Sequence, residues 1–195
     1  MHCLVESKRV VIVGIPGVGK TTLVSTIVEL LNMKQTTVSV YSFGTIMLEE
    51  AKKNNIKDRD DIRKLSIEEQ KKLQLLAAQQ IANFNDKVVI IDTHAFISTT
   101  AGFYPGLPEY VLKIIKPANF ISVSARPEEI YNRRMNDTTR SRIITSIESI
   151  KKEMAVQEAM LSSCSVLSGS PIISVLNKEG NIKDVAEYII KAIGL

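Results

Sequence analysis

The stretch "VVIVGIPGVGKTTL", Val10 to Leu23, decides how this chain is read. Four apolar residues run into a glycine-rich turn, a lysine and two threonines, and apolar residues then recur at Leu23, Ile27, Leu30 and Leu31. The first run has the pattern of a strand buried on both faces, the second that of an amphipathic helix. Between them Gly14 to Thr21 fits G-x-x-x-x-G-K-[ST], in the strand-then-helix setting the pattern requires. Gly14, Gly17 and Gly19 let successive backbone N–H groups converge on phosphate oxygens. The helix start adds its positive dipole end, Lys20 a cation, and Thr21 a hydroxyl that can face magnesium. Ile15, Pro16 and Val18 complete the loop and Thr22 continues it. A tight turn without a ligand needs neither that lysine nor that hydroxyl.

Outward from this loop, β-branched runs recur at "KRVVIVG", "TTVSVYS", "KVVIIDT", "NFISVSA" and "PIISVLN". Helical patterns lie between them, which predicts a five-stranded parallel sheet covered on both faces, a three-layer α/β/α fold. Ser66 followed by Glu69 predicts a capping box, Pro127 the first turn of another helix, and Asn181 the cap of the last, with Gly194 near its end. Two segments stand apart: a Gly/Pro-rich loop, "TTAGFYPGLP", and an arginine-rich one, "NRRMNDTTRSR".

A length of 195 residues with 45% apolar content predicts one domain, 1–195. Net charge is +4 and the isoelectric point about 9.0, which suits nucleic acid, an anionic membrane surface, small polyanionic ligands or simply a soluble surface with a slight lysine excess. Cys3 and Cys164 form no metal or disulfide pattern and fit a reducing cytoplasm. No apolar run approaches a membrane span.

Asp92 closes the strand "VVIID", where a carboxylate can meet magnesium directly or through water, or cap the next turn. His94 follows two residues on, as a base or, more commonly, as a hydrogen-bonded loop histidine. A guanine-reading Asn-Lys-x-Asp is missing: "LNKEGN" puts Glu179 and Gly180 where its aspartate would fall. Arginines outside the loop instead suit a kinase for a small phosphorylated acceptor. "KDRDDIRKL" sets Arg59 and Arg63 four apart on one helical face, either for a phosphate or for pairing with Asp58, Asp60 and Asp61. "NRRMNDTTRSR" gathers Arg133, Arg134, Arg140 and Arg142 around the single acid Asp137.

These stretches, with "FGTIMLEEA" and "IDTHAFISTTAGFYPGLPEYV", resemble the archaeal-type adenylate kinases, a branch of the P-loop nucleoside monophosphate kinases. The likeness spans about Arg9 to Arg142, and "DTHA" followed by "GLP" is far more specific than the phosphate loop. The resemblance implies MgATP plus AMP giving two ADP, on a core with an AMP-binding helical insertion at about 44–84 and a short lid at about 133–142. It implies ATP phosphates at Gly14 to Thr22, Lys20 on the transferred group, and Thr21 with Asp92 at magnesium. Gly44 and Thr45 in the "FGTIM" turn would border AMP, and Arg59 or Arg63 would take its phosphate, since no arginine follows Gly44 within the next turns. Arg133, Arg140 and Arg142 would clamp the transferring phosphoryl, and Asn177 to Gly180 would lie near adenine. The branch implies a homotrimer. The lid turn carries no cysteine, which excludes a zinc-bearing lid.

Two rivals remain: a kinase of this fold for CMP or UMP, and an adenylate-kinase-like ATPase in ribosome assembly. The second predicts aromatic side chains among the arginines, but only Tyr131 stands beside them, so no stable nucleic acid partner is expected.

Overall fold

The computed structural model describes residues 7–99, 102–136, 146–178 and 180–195. In chain order the strands are β1 Lys8–Val13, β2 Val38–Ser42, β3 Val88–Thr93, β4 Phe96–Thr99, β5 Gly102–Pro105, β6 Asn119–Ser124 and β7 Ile172–Leu176. The helices are α1 Lys20–Met33, α2 Phe43–Lys52, α3 Arg59–Lys64 and α4 Ile67–Ala82. Then follow α5 Glu109–Ile115, α6 Pro127–Asn136, α7 Ile147–Ser168 and α8 Ile182–Ala192.

Five strands pair in parallel in the order β2–β3–β1–β6–β7, and each coincides with one of the β-branched runs. Alternate residues of the central strands feed opposite faces, as strand geometry demands. Val10, Ile12, Val88 and Ile90 meet Leu23, Ile27 and Leu31 of α1 and Ile189 of α8. Val11, Val13, Val89 and Ile91 meet Leu73 and Ile81 of α4 and Val111 of α5. Burying both faces is what leaves these strands without polar alternation. The 22-residue α7, capped by Ser146, serves both layers, with Ile150 in the first and Leu161 and Cys164 in the second.

Three local expectations change. "FGTIM" is no turn: β2 passes directly into α2, so Gly44 and Thr45 sit in that helix's first turn. Part of the Gly/Pro-rich loop is an antiparallel hairpin, with Phe96 opposite Pro105 and Ile97 opposite Tyr104. Asn181 occupies the cap position of α8 but makes no side-chain capping bond. The capping box at Ser66 and Glu69 is present, and Pro127 opens α6. Arg140 and Arg142, most of the expected lid, and Glu179 lie outside the described residues.

Candidate active site

β1 lies between β3 and β6, and chain connections leave it and β3 in opposite directions. In open α/β sheets a crevice opens at the carboxyl ends of the strands at such a switch point. Here it is a cleft of about 480 Å³, within the range common for small-molecule sites.

The wall at the end of β1, called here the donor wall, is the phosphate loop. Ile15, Pro16, Gly17 and Gly19 to Thr22 line the cleft, whereas Gly14 and Val18 are buried and do not line it. Gly17 and Gly19 take positive φ of 93° and 83°, a region that side chains disfavour. Val18 is buried and its methyl fills the space where a β-carbon on Gly14 would lie, 2.7 Å away. Lys20 opens α1 and its ammonium pairs with Asp92, which stands opposite Ile12 near the end of β3. Thr21 and Thr22 are exposed in the same turn.

His94 is half-buried at the cleft floor, its Nδ1 2.8 Å from the Gly14 carbonyl. A carbonyl only accepts, so Nδ1 carries the proton and Nε2 is left as an acceptor. Desolvation first, and the Lys20 cation second, push its pKa down to about 4. The ring is therefore neutral near pH 7.

The opposite wall, the acceptor wall, comes from α2, α3 and α4. Ser42, Phe43, Gly44 and Met47 line it, with Arg59 reaching across from α3. The Arg59 guanidinium donates to Thr45 Oγ1 at 3.0 Å. Local carboxylates sort this cluster. Asp58 caps α3 through the N–H groups of Asp60 and Asp61. Asp60 holds Arg63 at 2.8 Å, and Asp61 holds Lys64. Arg63 is thus turned to its own helix and does not line the cleft, although it shares a helical face with Arg59 in sequence.

Below this wall Gln74 is fully buried; its amide nitrogen donates to the Pro105 carbonyl at 3.0 Å, and its oxygen accepts from Tyr104 and Tyr110. It ties α4 to the hairpin. Gly106 is required beside it, because a β-carbon there would strike the His94 carbonyl.

The second arginine cluster divides in the same way. Arg133 lines the cleft, donates to the Gly17 carbonyl at 3.3 Å and lies 3.6 Å from Glu129. Arg134 turns outward, giving Nε to the Pro16 carbonyl at 2.8 Å and both terminal nitrogens to Glu153 of α7. Asn177, after β7, does not offer a free side chain toward the cleft: its Nδ2 donates to the Val18 carbonyl at 2.8 Å. Gln74 is marked by no motif; the sequence groups Arg134 with the phosphate-binding arginines and Asn177 with a segment near adenine, and does not mark the loop-carbonyl contacts of these two. Their partners are carbonyls far away in the chain, which no local spacing marks.

Two oxygens suit a hard cation here: the Thr21 hydroxyl and the Asp92 carboxylate. Among the described residues no group of three or more His, Cys, Asp or Glu side chains forms a protein-only metal cage. Such a donor set fits magnesium, which keeps waters and shares substrate phosphates.

A family model described as "AAA domain" matches residues 13–151. The chain is similar to the adenylate kinase of Thermoplasma acidophilum, 40% identical over 188 residues that cover 96% of this chain and 99% of that one. It is similar to the adenylate kinase of Methanocaldococcus jannaschii, 35% identical over 190 residues covering 96% and 99%. Against that of Sulfurisphaera tokodaii identity is 40% over 190 residues, covering 93% and 97%. Among solved structures, the shikimate kinase from Acinetobacter baumannii in complex with shikimate superposes with a TM-score of 0.65 at 12% identity. That alignment covers 96% of this chain and 93% of that one, a likeness of fold alone.

Proposed function

The chain belongs to the adenylate kinase family, and from that premise we propose that its cleft passes the terminal phosphoryl of MgATP reversibly to AMP, giving two ADP. One observation carries the reading of the site: arginines from two different helices, Arg59 and Arg133, border one cleft that also contains the phosphate loop. A site for two phosphorylated ligands needs cations on both sides of the bond that is exchanged.

In this reading the loop N–H groups from Gly14 to Thr22 hold the ATP phosphates, and Lys20 leaves Asp92 for the transferred group. Asp92 and Thr21 are then available to magnesium, which would neutralise phosphate charge when bound. Gly44 and Thr45 border AMP, and Arg59 takes its phosphate; Arg63 is the less favoured choice because Asp60 already engages it. Arg133, with Arg140 and Arg142 from the family resemblance, clamps the phosphoryl in flight. No general base is needed, because the AMP phosphate is itself an anionic nucleophile and catalysis reduces to position and charge. The neutral, hydrogen-bonded His94 agrees with that.

We also propose a homotrimer in the cytoplasm, working without a stable nucleic acid partner. Within the one domain, 1–195, residues 44–84 are proposed as the AMP-binding helical insertion and 133–142 as a short lid. No helix among the described residues is long and apolar enough to cross a membrane.

The test is a coupled assay with MgATP and AMP, CMP, UMP or GMP in turn, without RNA. Turnover confined to AMP is expected. Preference for CMP or UMP would change the acceptor while keeping the mechanism. Slow hydrolysis stimulated only by ribosomal components would overturn the proposal in favour of an assembly ATPase.

A further inference from the structure

Every carbonyl from Gly14 to Val18 accepts a hydrogen bond. The Val18 N–H serves Ile15 at 3.4 Å, and the other four are served by side chains outside the loop: His94, Arg134, Arg133 and Asn177. From this we infer that Asn177 and Arg134 are positioning residues, each turning one loop carbonyl outward so that the next N–H faces the cleft before any nucleotide arrives.

A peptide unit is planar, with its carbonyl and N–H pointing to opposite sides, so fixing one fixes the other. Arg134 on the Pro16 carbonyl thereby sets the Gly17 N–H. Asn177 on the Val18 carbonyl sets the Gly19 N–H. Both are glycines at positive φ, where the chain alone imposes little restraint. The missing β-carbons also leave room for the two donors: one on Gly19 would strike the Asn177 amide, and one on Gly17 would press on Arg134 Cγ at 3.3 Å.

The donors are themselves held. Asn177 is 5% exposed and its own N–H donates to the Ser124 carbonyl at 2.8 Å. The Arg134 side chain is 11% exposed and is bound twice by Glu153 of α7. The loop is thus cradled from the turn after β7 on one side and, on the other, from α6 braced by α7. This inference rests on the donor-site reading and deepens it, because neither residue need touch nucleotide.

The experiment measures, in the full chain, affinity for inorganic tripolyphosphate, affinity for AMP, and melting temperature. Asn177→Ala removes the donor, and Asn177→Leu removes it while keeping water out. Arg134→Lys keeps a cation for Glu153 but lacks Nε. Tripolyphosphate affinity should fall about tenfold in the Asn177 variants, the upper range for one hydrogen bond. AMP affinity should stay within about twofold, as expected for a separate part of the cleft.

Arg134→Lys should show the same one-sided loss, and it decides the matter should the Asn177 variants fail to fold. Unchanged tripolyphosphate affinity in folded variants would overturn the inference. So would parallel losses of both ligands with a lowered melting temperature, the signature of a merely structural role. A chain that binds tripolyphosphate yet fails to phosphorylate AMP would sink the kinase reading instead and leave this one standing.

Discussion

On the donor wall five consecutive carbonyls are held, four of them by side chains from α6 and from the turns after β3 and β7; on the acceptor wall α3 is held chiefly by its own carboxylates. The donor loop also grows from β1, whose last four residues are buried at the centre of the sheet. By contrast α3 buries only Ile62, and Arg59 reaches Thr45 through one exposed hydrogen bond. Locally tethered, solvent-screened elements open at low free-energy cost, whereas centrally packed ones open only with the fold. One wall is shaped in advance, and the other can adjust around its ligand.

Lys20→Ala offers the largest test of this contrast. The ammonium stands at the donor wall beside Asp92, so its loss should lower turnover by about 10²–10³-fold, as for other groups stabilising transition-state charge. The melting temperature should remain close to the parent's, because the loop's carbonyl contacts do not involve Lys20. Turnover within tenfold of the parent in a folded variant would remove Lys20 from the chemistry. A collapse of stability would show that the donor wall is not shaped independently of its cation.

Arg59→Ala tests the other wall. A charge-assisted contact to phosphate is worth roughly 1.5–3 kcal/mol, so KM for AMP should rise at least tenfold by that measure while KM for ATP stays near the parent value. Steady-state kinetics with each substrate varied in turn would show it. Equal rises in both constants would mean that the two walls are coupled and that the contrast fails.

A smaller effect concerns the floor behind the acceptor wall, where the Cys164 thiol is buried and donates to the Leu107 carbonyl at 3.5 Å. Burial pushes its pKa up from 9.0 to about 11. Between these values the unfolded chain has released the proton and the folded chain has kept it, so stability falls as pH rises through that window. Urea unfolding from pH 8 to 11 should show the parent losing stability relative to Cys164→Ser, which keeps a hydroxyl donor and does not titrate. Parallel profiles would mean that this floor opens readily enough for the thiol to ionise in the native state.

The unequal walls also explain what the sequence made legible. The central strands β1, β3 and β6 are buried on both faces and so largely apolar, the edge strands β2 and β7 still carry β-branched residues, and all five runs could be placed on that basis; the phosphate loop carries its chemistry in contiguous residues. The hairpin was hidden because its strands, "FIST" and "GFYP", are four residues each and the second ends in proline. Gly44 looked like punctuation, yet a helix starting directly from β2 tolerates it in the first turn. Arg134 and Asn177 stood in segments the sequence marked for ligand, but nothing marked them as holders of the phosphate loop, since their partner carbonyls lie 118 and 159 residues away. The arginine pair on α3 could not be divided by spacing. Thr45, on another helix, selects Arg59, while Asp60 claims Arg63.

Arg63→Ala is accordingly the smallest expected change and the sharpest probe of how far the acceptor wall moves. Its pair with Asp60 joins side chains 53% and 76% exposed, a setting in which an ion pair contributes about 0–1 kcal/mol. If α3 keeps the orientation seen here, the substitution should leave KM for AMP within about twofold, since a screened surface charge outside the cleft adds little. A tenfold rise confined to AMP would require Arg63 to leave Asp60 and turn inward when acceptor binds. That rotation is open to a six-residue helix held by one cap, two surface pairs, the Arg59–Thr45 bond and a single buried side chain, Ile62. The double variant Arg59→Ala/Arg63→Ala separates the cases. Additive losses would mean that each arginine meets the phosphate independently in a closed state, whereas a double variant no worse than Arg59→Ala would leave Arg63 bound to its own helix throughout.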